Sequence, residues 1–252
     1  LFTIITISLL SLVCLVNYYY TPLESFQNKT HDIIIPPFNR CYVINLKETK
    51  EGIRRWKVME KHPVLKSYVN QFPGIYGKEY DFKEAITNNI IYPRWDYGTW
   101  QNKASNVVEM DPGELGCILS HRNVWKKIVD EGIGVTLVLE DDAVRVKKDF
   151  IKTVSEIQRH VPDDWDIILL GFWLHRGNNG SKVNPHIHRV KNFCLLHSYL
   201  LSLKGAKRLL SLGTINKPLD TWMSYQSDKL KIYRHNKVIG DSKFPASAII
   251  GQ

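Results

Sequence analysis

Glu140, Asp141 and Asp142 stand in succession directly after the apolar run Val135-Thr136-Leu137-Val138-Leu139. Two unit charges about 4 Å apart repel by ~1 kcal/mol in water and about 4 kcal/mol at an effective dielectric of 20, so three anions at a strand end call for a counter-charge. A divalent cation with oxygen ligands would supply it. The apolar run reads as a buried strand of a parallel sheet, and open α/β proteins bind ligands at the C-terminal edge of such strands. The triplet therefore has two readings: a metal site carrying a phosphate-bearing substrate, or a solvated acidic turn that caps the next helix.

Two further groups have chemistry-bearing types at suggestive spacings. Asn45 ends the strand-like run Cys41-Tyr42-Val43-Ile44, and Arg54 and Arg55 follow in a basic helix, where either arginine could hold a nucleotide or simply be solvated. Asp111-Pro112-Gly113-Glu114 then opens a helix with an N-cap, a proline at the first helical position and a Glu three residues after the cap. At 100° per residue Leu115, Ile118, Trp125, Ile128 and Val129 form an apolar stripe, and Glu114 and His121 fall near its middle. Buried polar groups left unpaired cost about 1–3 kcal/mol, so both need partners. Ligation, a Glu114–His121 pair and a capping-box role for Glu114 all satisfy that requirement.

These groups must be positioned by alternating strands and helices. A strand at 41–46 leads to a helix at 50–62; a short strand at 70–76 and a short helix at 80–88 follow. The polar stretch 89–111, with Trp95 and Trp100, lacks periodicity and suggests a substrate-side loop. After the acidic strand come a helix at 149–160, a strand at 165–171, a longer strand at 193–202 carrying His197, Ser198 and Tyr199, helices at 204–211 and 218–226, and a closing strand at 231–234. The alternation predicts an α/β domain with helices on both faces of the sheet.

Composition bounds the partners. With 252 residues, 44% of them hydrophobic, the chain can build a sizeable core. Its 34 Lys and Arg against 25 Asp and Glu give +9, which suits anionic partners such as nucleotide diphosphates. The basic residues are scattered and form no nucleic-acid motif, so no nucleic-acid partner is expected. Cys41, Cys117 and Cys194 show no C-x-x-C spacing, which disfavours a zinc knuckle or a disulfide framework. Residues 1–16 carry no charge and would span about 24 Å as a helix against a hydrocarbon core of about 30 Å. Continuing through Tyr18, Tyr19 and Tyr20 closes the gap and adds an interfacial aromatic belt, so residues 1–20 are expected to be a retained signal-anchor. Residues 21–39, with Pro22, Pro36 and Pro37, read as a stem, and residues 40–252 as the catalytic domain. The sequons Asn28-Lys29-Thr30 and Asn179-Gly180-Ser181 fit a lumenal placement, a single-pass type II protein of the Golgi or endoplasmic reticulum in a eukaryotic host.

Four segments together resemble the family-25 glycosyltransferases, which include lipopolysaccharide-sugar transferases and collagen galactosyltransferases. They are Tyr42-Val43-Ile44-Asn45-Leu46 with Arg54 and Arg55, the block from Gly113-Glu114-Leu115-Gly116-Cys117 to Ser120-His121, Leu139-Glu140-Asp141-Asp142, and Asp164-Trp165-Asp166 with Ser198 to Ala206. The resemblance spans about 40–252. It implies a glycosyltransferase-A-like (Rossmann-like) fold with a mixed, mainly parallel sheet, a UDP-sugar donor, Mn²⁺ (or Mg²⁺) and inversion at the anomeric carbon. It implies a donor side formed by Asn45, Arg54, Arg55, Glu114, Ser120, His121, Glu140 and Asp141, and a glycan or protein acceptor. Lys47-Glu48-Thr49 departs from the more basic run frequent in the family. Combined with the carboxylate chemistry, the resemblance points to Asp142, helped by Glu140 or Asp141 and with His235 able to complete the shell, as metal ligands. An inverting transfer needs a base within reach of the acceptor hydroxyl; Asp220 is the first candidate and Asp166 the second. Two rivals share these features: a sugar-nucleotide hydrolase that activates water, and a catalytically silent glycan-binding relative.

Overall fold

A computed structural model describes residues 36–92, 95–96, 107–108, 110–143, 146–174 and 180–235. The expected anchor at 1–20, the stem up to residue 35 and the sequon asparagines Asn28 and Asn179 lie outside them. Among the described residues no helix is long and apolar enough to cross a membrane.

In chain order the strands are β1 Arg40–Asn45, β2 Val69–Pro73, β3 Trp95–Asp96, β4 Val107–Val108, β5 Val135–Glu140, β6 Ile167–Leu174, β7 Ser181–Lys182, β8 Ile187–Arg189, β9 Phe193–Ser202 and β10 Ile232–His235. The helices are α1 Lys50–Met59, α2 Phe82–Thr87, α3 Pro112–Asp130, α4 Phe150–His160, α5 Leu203–Ser211 and α6 Leu219–Tyr225. One 8-stranded sheet has the order β2-β1-β5-β9-β6-β10-β8-β7, and β3 pairs with β4 separately. β2, β1 and β5 are parallel, as are β6 and β10, while β9 runs antiparallel to both β5 and β6. The sheet is thus mixed and mainly parallel, as expected, with one reversed strand at its centre. β10 does not close the sheet, because the β7–β8 hairpin pairs beyond it. The short runs of 181–189 carry too little alternation to be read as strands from sequence.

Period-two alternation sorts the sheet side chains onto two faces. Tyr42, Val138, Leu169, Tyr199 and Leu201 face α3, α5 and α6. Cys41, Val43, Leu137, Leu139, Leu170 and Leu200 face Met59 of α1 and the Phe150, Val154 and Ile157 side of α4. Helices therefore cover both faces, and residues separated by one position in a strand serve different cores.

α3 is set by its first turn. The Asp111 carboxylate accepts from the Gly113 N–H, Glu114 completes the capping box, and Pro112 occupies the first turn. Its docking against the chain leaving β2 needs two glycines: a Cβ on Gly116 would lie 2.6 Å from the Ile75 carbonyl oxygen, and one on Gly77 would lie 1.7 Å from that of Pro112. Ala is worth about 1 kcal/mol more than Gly inside a helix. At Gly116 the backbone clash outweighs that gain, so Gly116→Ala is expected to lose about 1–3 kcal/mol of stability. A melting temperature at or above wild type, with propensity winning, would refute this packing.

Candidate active site

β1 and β5 end side by side, with Ile44 level with Glu140. Parallel pairing thus puts Asn45 next to the turn that begins at Asp141. The Asn45 side-chain N–H₂ donates to Asp141 Oδ2 at 2.7 Å and to the Gly52 carbonyl at 2.8 Å, while its Oδ1 accepts from Gln71 at 2.7 Å. Every polar atom of this buried amide has a partner, so it is a fixed strut for Asp141. α1 starts at an N-cap on Thr49, whose hydroxyl accepts from the Gly52 N–H. The departure at Lys47-Glu48-Thr49 therefore builds the helix start. From α1, Arg55 donates to Asp141 Oδ1 at 2.8 Å and to Glu51 at 2.9 Å, and stands 3.9 Å from Asp142. Arg54 forks onto Glu51 at the surface instead, at 2.6 and 2.8 Å. Of the two arginines only Arg55 belongs to the carboxylate group.

From the opposite side α3 inserts His121, which is 1% exposed. Its Nε2 lies 3.3 Å from Glu140 Oε1 and its Nδ1 2.9 Å from the Tyr199 hydroxyl, which also accepts from the Trp125 indole N–H at 3.1 Å. Glu140, like Val138, points to the α3 face, and β9 brings Tyr199 there from the neighbouring strand.

Among the described residues the charges do not balance. Glu140, Asp141 and Asp142 face Arg55, which Glu51 already shares. Burial, and then the charge of Glu140, push Asp142 up from 3.8 to about 7. Burial also raises Asp141, against the pull of Arg55 and Asn45. Burial works to raise Glu140 too, but its hydrogen bond to His121 leads the effects that carry it below the ordinary value. A half-buried carboxylate short of positive charge, beside an ionised one, fits a hard divalent cation. Were such an ion bound, Asp142 and Glu140 would be the carboxylates offered to it.

The Cys117 thiol, a His121 nitrogen and a Glu140 oxygen also come within 4.8 Å of one another. Burial, reinforced by Glu140 and Asp220, keeps that thiol well above its usual pKa, and both His121 nitrogens already have hydrogen-bond partners. Metal binding needs a thiolate and a free imidazole nitrogen, so His121 and Glu140 stand here as a hydrogen-bonded pair with the Cys117 thiol beside them.

Asp220, at the start of α6, stands at the same edge. Its Oδ2 accepts from the Leu195 N–H at 2.7 Å and its Oδ1 from the Thr221 N–H at 2.5 Å, and burial raises its pKa. Leu195 sits at φ 65°, in the left-handed region that a non-glycine residue adopts at a cost. Asp220 thus holds a strained bend of β9 beside the site and keeps a spare lone pair on Oδ2.

Four other expected residues are placed elsewhere or committed. Asp166 precedes β6, level with the start of β5, so it lies about 16 Å below Glu140 at a strand rise of about 3.3 Å per residue. It is fully buried, accepts from Arg208 at 2.6 Å and from the Lys231 N–H at 2.8 Å, and is a structural counter-ion, not a base. His235 falls on the α4 face with Tyr233, across the sheet from Glu140. It stacks at 6.0 Å on His186, which lies 4.3 Å from His160. Strand parity thus removes it from the metal shell. Ser120 donates to the Gly116 carbonyl at 2.6 Å and accepts from the Ile75 N–H at 2.8 Å, so it straps α3 to the sheet. Glu114 is half-buried and accepts from the Asp111 N–H at 3.4 Å, the capping-box alternative, whereas His121 does point inward.

The sequence assigned no role to Tyr199 or His197 and gave Trp125 only a place in the apolar stripe. Burial holds the His197 imidazole below its usual pKa, with Glu140 pulling the other way, and a Cβ on Gly171 would lie 2.2 Å from its Nε2. The signal was the two-residue spacing of His197 and Tyr199 on one strand, which puts both on the His121 side.

Several relatives share sequence with this chain. Procollagen galactosyltransferase 1 of Danio rerio is 34% identical over 125 residues, covering 46% of this chain and 20% of its own length. Procollagen galactosyltransferase 2 of Homo sapiens is 27% identical over 215 residues, covering 76% of this chain and 31% of its own. A protein of Bos taurus described as "Probable inactive glycosyltransferase 25 family member 3" is 30% identical over 124 residues, 46% of this chain and 21% of its own. The chain thus spans between about a fifth and a third of the length of these relatives. The profile "Glycosyltransferase family 25 (LPS biosynthesis protein)" matches residues 38–223, which include α3, the Glu140-Asp141-Asp142 turn and Asp220. The chain belongs to glycosyltransferase family 25.

Proposed function

We propose that this chain is a metal-dependent inverting glycosyltransferase that moves a hexose, galactose being the first candidate, from a UDP-sugar to a hydroxyl of a glycan or glycoprotein. The observation that carries the reading is the surplus of carboxylate charge, among the described residues, where β1 and β5 end, with Asp220 on the same edge. Bound there, a divalent cation such as Mn²⁺ would neutralise charge building on the leaving diphosphate. Asp142 and Glu140 hold that position. Arg55 and Asn45 fix Asp141 beside it, which leaves the turn one shape to present to a donor. Asp220 takes the proton of the attacking hydroxyl from the opposite side of the sugar. The names of the procollagen galactosyltransferases support galactose and a protein acceptor. The uncharged run at 1–16 followed by Tyr18, Tyr19 and Tyr20 supports a membrane anchor with the catalytic domain lumenal.

The deciding experiment is a panel of sugar nucleotides scored for Mn²⁺-dependent release of the nucleoside diphosphate, with and without glycan and glycoprotein acceptors. Acceptor-dependent release supports transfer; acceptor-independent release makes the protein a hydrolase; no release with any donor makes it a silent relative.

A pH dependence follows from Asp142. Its folded value, about 7, lies above the 3.8 of the free side chain. Between those values the folded state keeps a proton that the unfolded chain has lost, so this group's contribution to stability is full below the lower value and is lost as pH rises through about 7. Cation binding must displace the same proton. Mn²⁺ is therefore expected to raise the melting temperature more at pH 8 than at pH 6, and an equal shift at both would refute Asp142 as a ligand.

A further inference from the structure

The Trp125–Tyr199–His121–Glu140 chain has a direction. An indole N–H can only donate, so the Tyr199 oxygen accepts from Trp125 at 3.1 Å. Tyr199 is fully buried, and its own hydrogen must go to an acceptor; His121 Nδ1 is 2.9 Å away. With Nδ1 accepting, the proton of a neutral imidazole sits on Nε2, which faces a carboxylate oxygen of Glu140 at 3.3 Å. The opposite tautomer would aim an Nε2 lone pair at that carboxylate and leave the tyrosine hydrogen competing with Nδ1–H. A doubly protonated ring would likewise deprive the tyrosine hydrogen of its acceptor. Only one arrangement gives every group in this line a partner, and its three buried members, Trp125, Tyr199 and His121, have no solvent to turn to instead.

We infer that Trp125 and Tyr199 are positioning residues: they fix His121 as its Nε2–H tautomer, so that its N–H holds the Glu140 carboxylate at the donor edge. The inference rests on the proposed role of Glu140 for its consequence, but not for the hydrogen-bond direction. Trp125 and His121 project from one helix four residues apart, and Tyr199 comes from β9. The relay therefore ties the acidic turn of β5 to both the helix layer and the reversed strand. Outer hydrogen-bond partners of a metal ligand typically affect metal affinity by 10–100-fold.

The test uses the ¹⁵N-labelled protein. Long-range ¹H–¹⁵N spectra should show His121 with Nδ1 bare and Nε2 protonated at neutral pH. Tyr199→Phe, which deletes only the hydroxyl, should give a mixture of tautomers and weaken binding of Mn²⁺ alone, followed by its electron paramagnetic resonance, about tenfold or more. Should that variant fold poorly, His121→Gln and His121→Leu serve instead: the glutamine amide can still donate to Glu140, so it should bind Mn²⁺ more tightly than the leucine variant. A proton on Nδ1 in the wild type, a Tyr199→Phe spectrum and Mn²⁺ affinity within twofold of wild type, or equal losses in Gln and Leu, would each overturn the inference. Absence of transfer with the wild-type spectrum as expected would refute the proposed activity and leave the relay standing. If wild type bound no Mn²⁺, the metal site would fail and the spectra would still decide the relay.

Discussion

Asp142→Asn is expected to lower the rate of sugar transfer at least a hundredfold while leaving the metal-free protein as stable as wild type or more so. The amide keeps the volume of the carboxylate, so packing around Ala143 and Leu139 is undisturbed. It removes one charged oxygen ligand from a hard cation, and a loss of about 2.7 kcal/mol of transition-state stabilisation already gives a hundredfold. Burial and Glu140 resist ionisation of Asp142 in the metal-free fold. Replacing it by a neutral group therefore relieves repulsion, most visibly at pH 8. Thermal melts without metal, beside activity titrated against Mn²⁺, read both quantities. An unfolded variant would make the triplet structural; near-normal Mn²⁺-dependent transfer would put the metal elsewhere.

Asp220→Asn should cost 10²–10⁴ in kcat, the usual contribution of a general base, while the Mn²⁺-induced rise in melting temperature persists. The separation matters because Asp220 also has a structural task. Its two oxygens accept from the Leu195 and Thr221 N–H groups, and an asparagine can offer an oxygen to only one of them. A stability loss of about 1–3 kcal/mol is therefore expected as well. If activity fell only in proportion to the fraction of folded protein, Asp220 would be the clamp of Leu195 and the base would be another group.

Much of the frame was legible from patterns with a single physical cause. The capping residues and apolar stripe of α3 placed Leu115, Ile118, Trp125, Ile128 and Val129 toward the core; the first four are fully buried and Val129 is half-buried at its margin. Asn45 and the acidic turn were legible because each ends an apolar run, and parallel strand ends share an edge. Asp166 shows the converse: it precedes its strand, so it belongs to the opposite edge. His235 was ambiguous for another reason, since it ends a strand at the correct edge but its face depends on which neighbours Tyr233 finds. Glu114 satisfied both the helix stripe and the cap, and it does make the local backbone bond of the cap. The role of Tyr199 depends on β9 running between β5 and β6, and no local pattern announces a reversed strand at the centre of a sheet.

That reversed strand also governs the order in which the molecule can be made. β9 pairs with β5 on one side and β6 on the other, yet both are synthesised before it. Until residue 202 has emerged, two apolar strands wait with unpaired edges, the kind of surface that recruits other chains. Closing the gap joins segments far apart in sequence, and non-local pairings of this sort fold slowly. The carboxylate turn then acquires the Tyr199 end of its support only at that late step. Nascent chains shorter than this should be the aggregation-prone species and the ones most dependent on chaperones during synthesis.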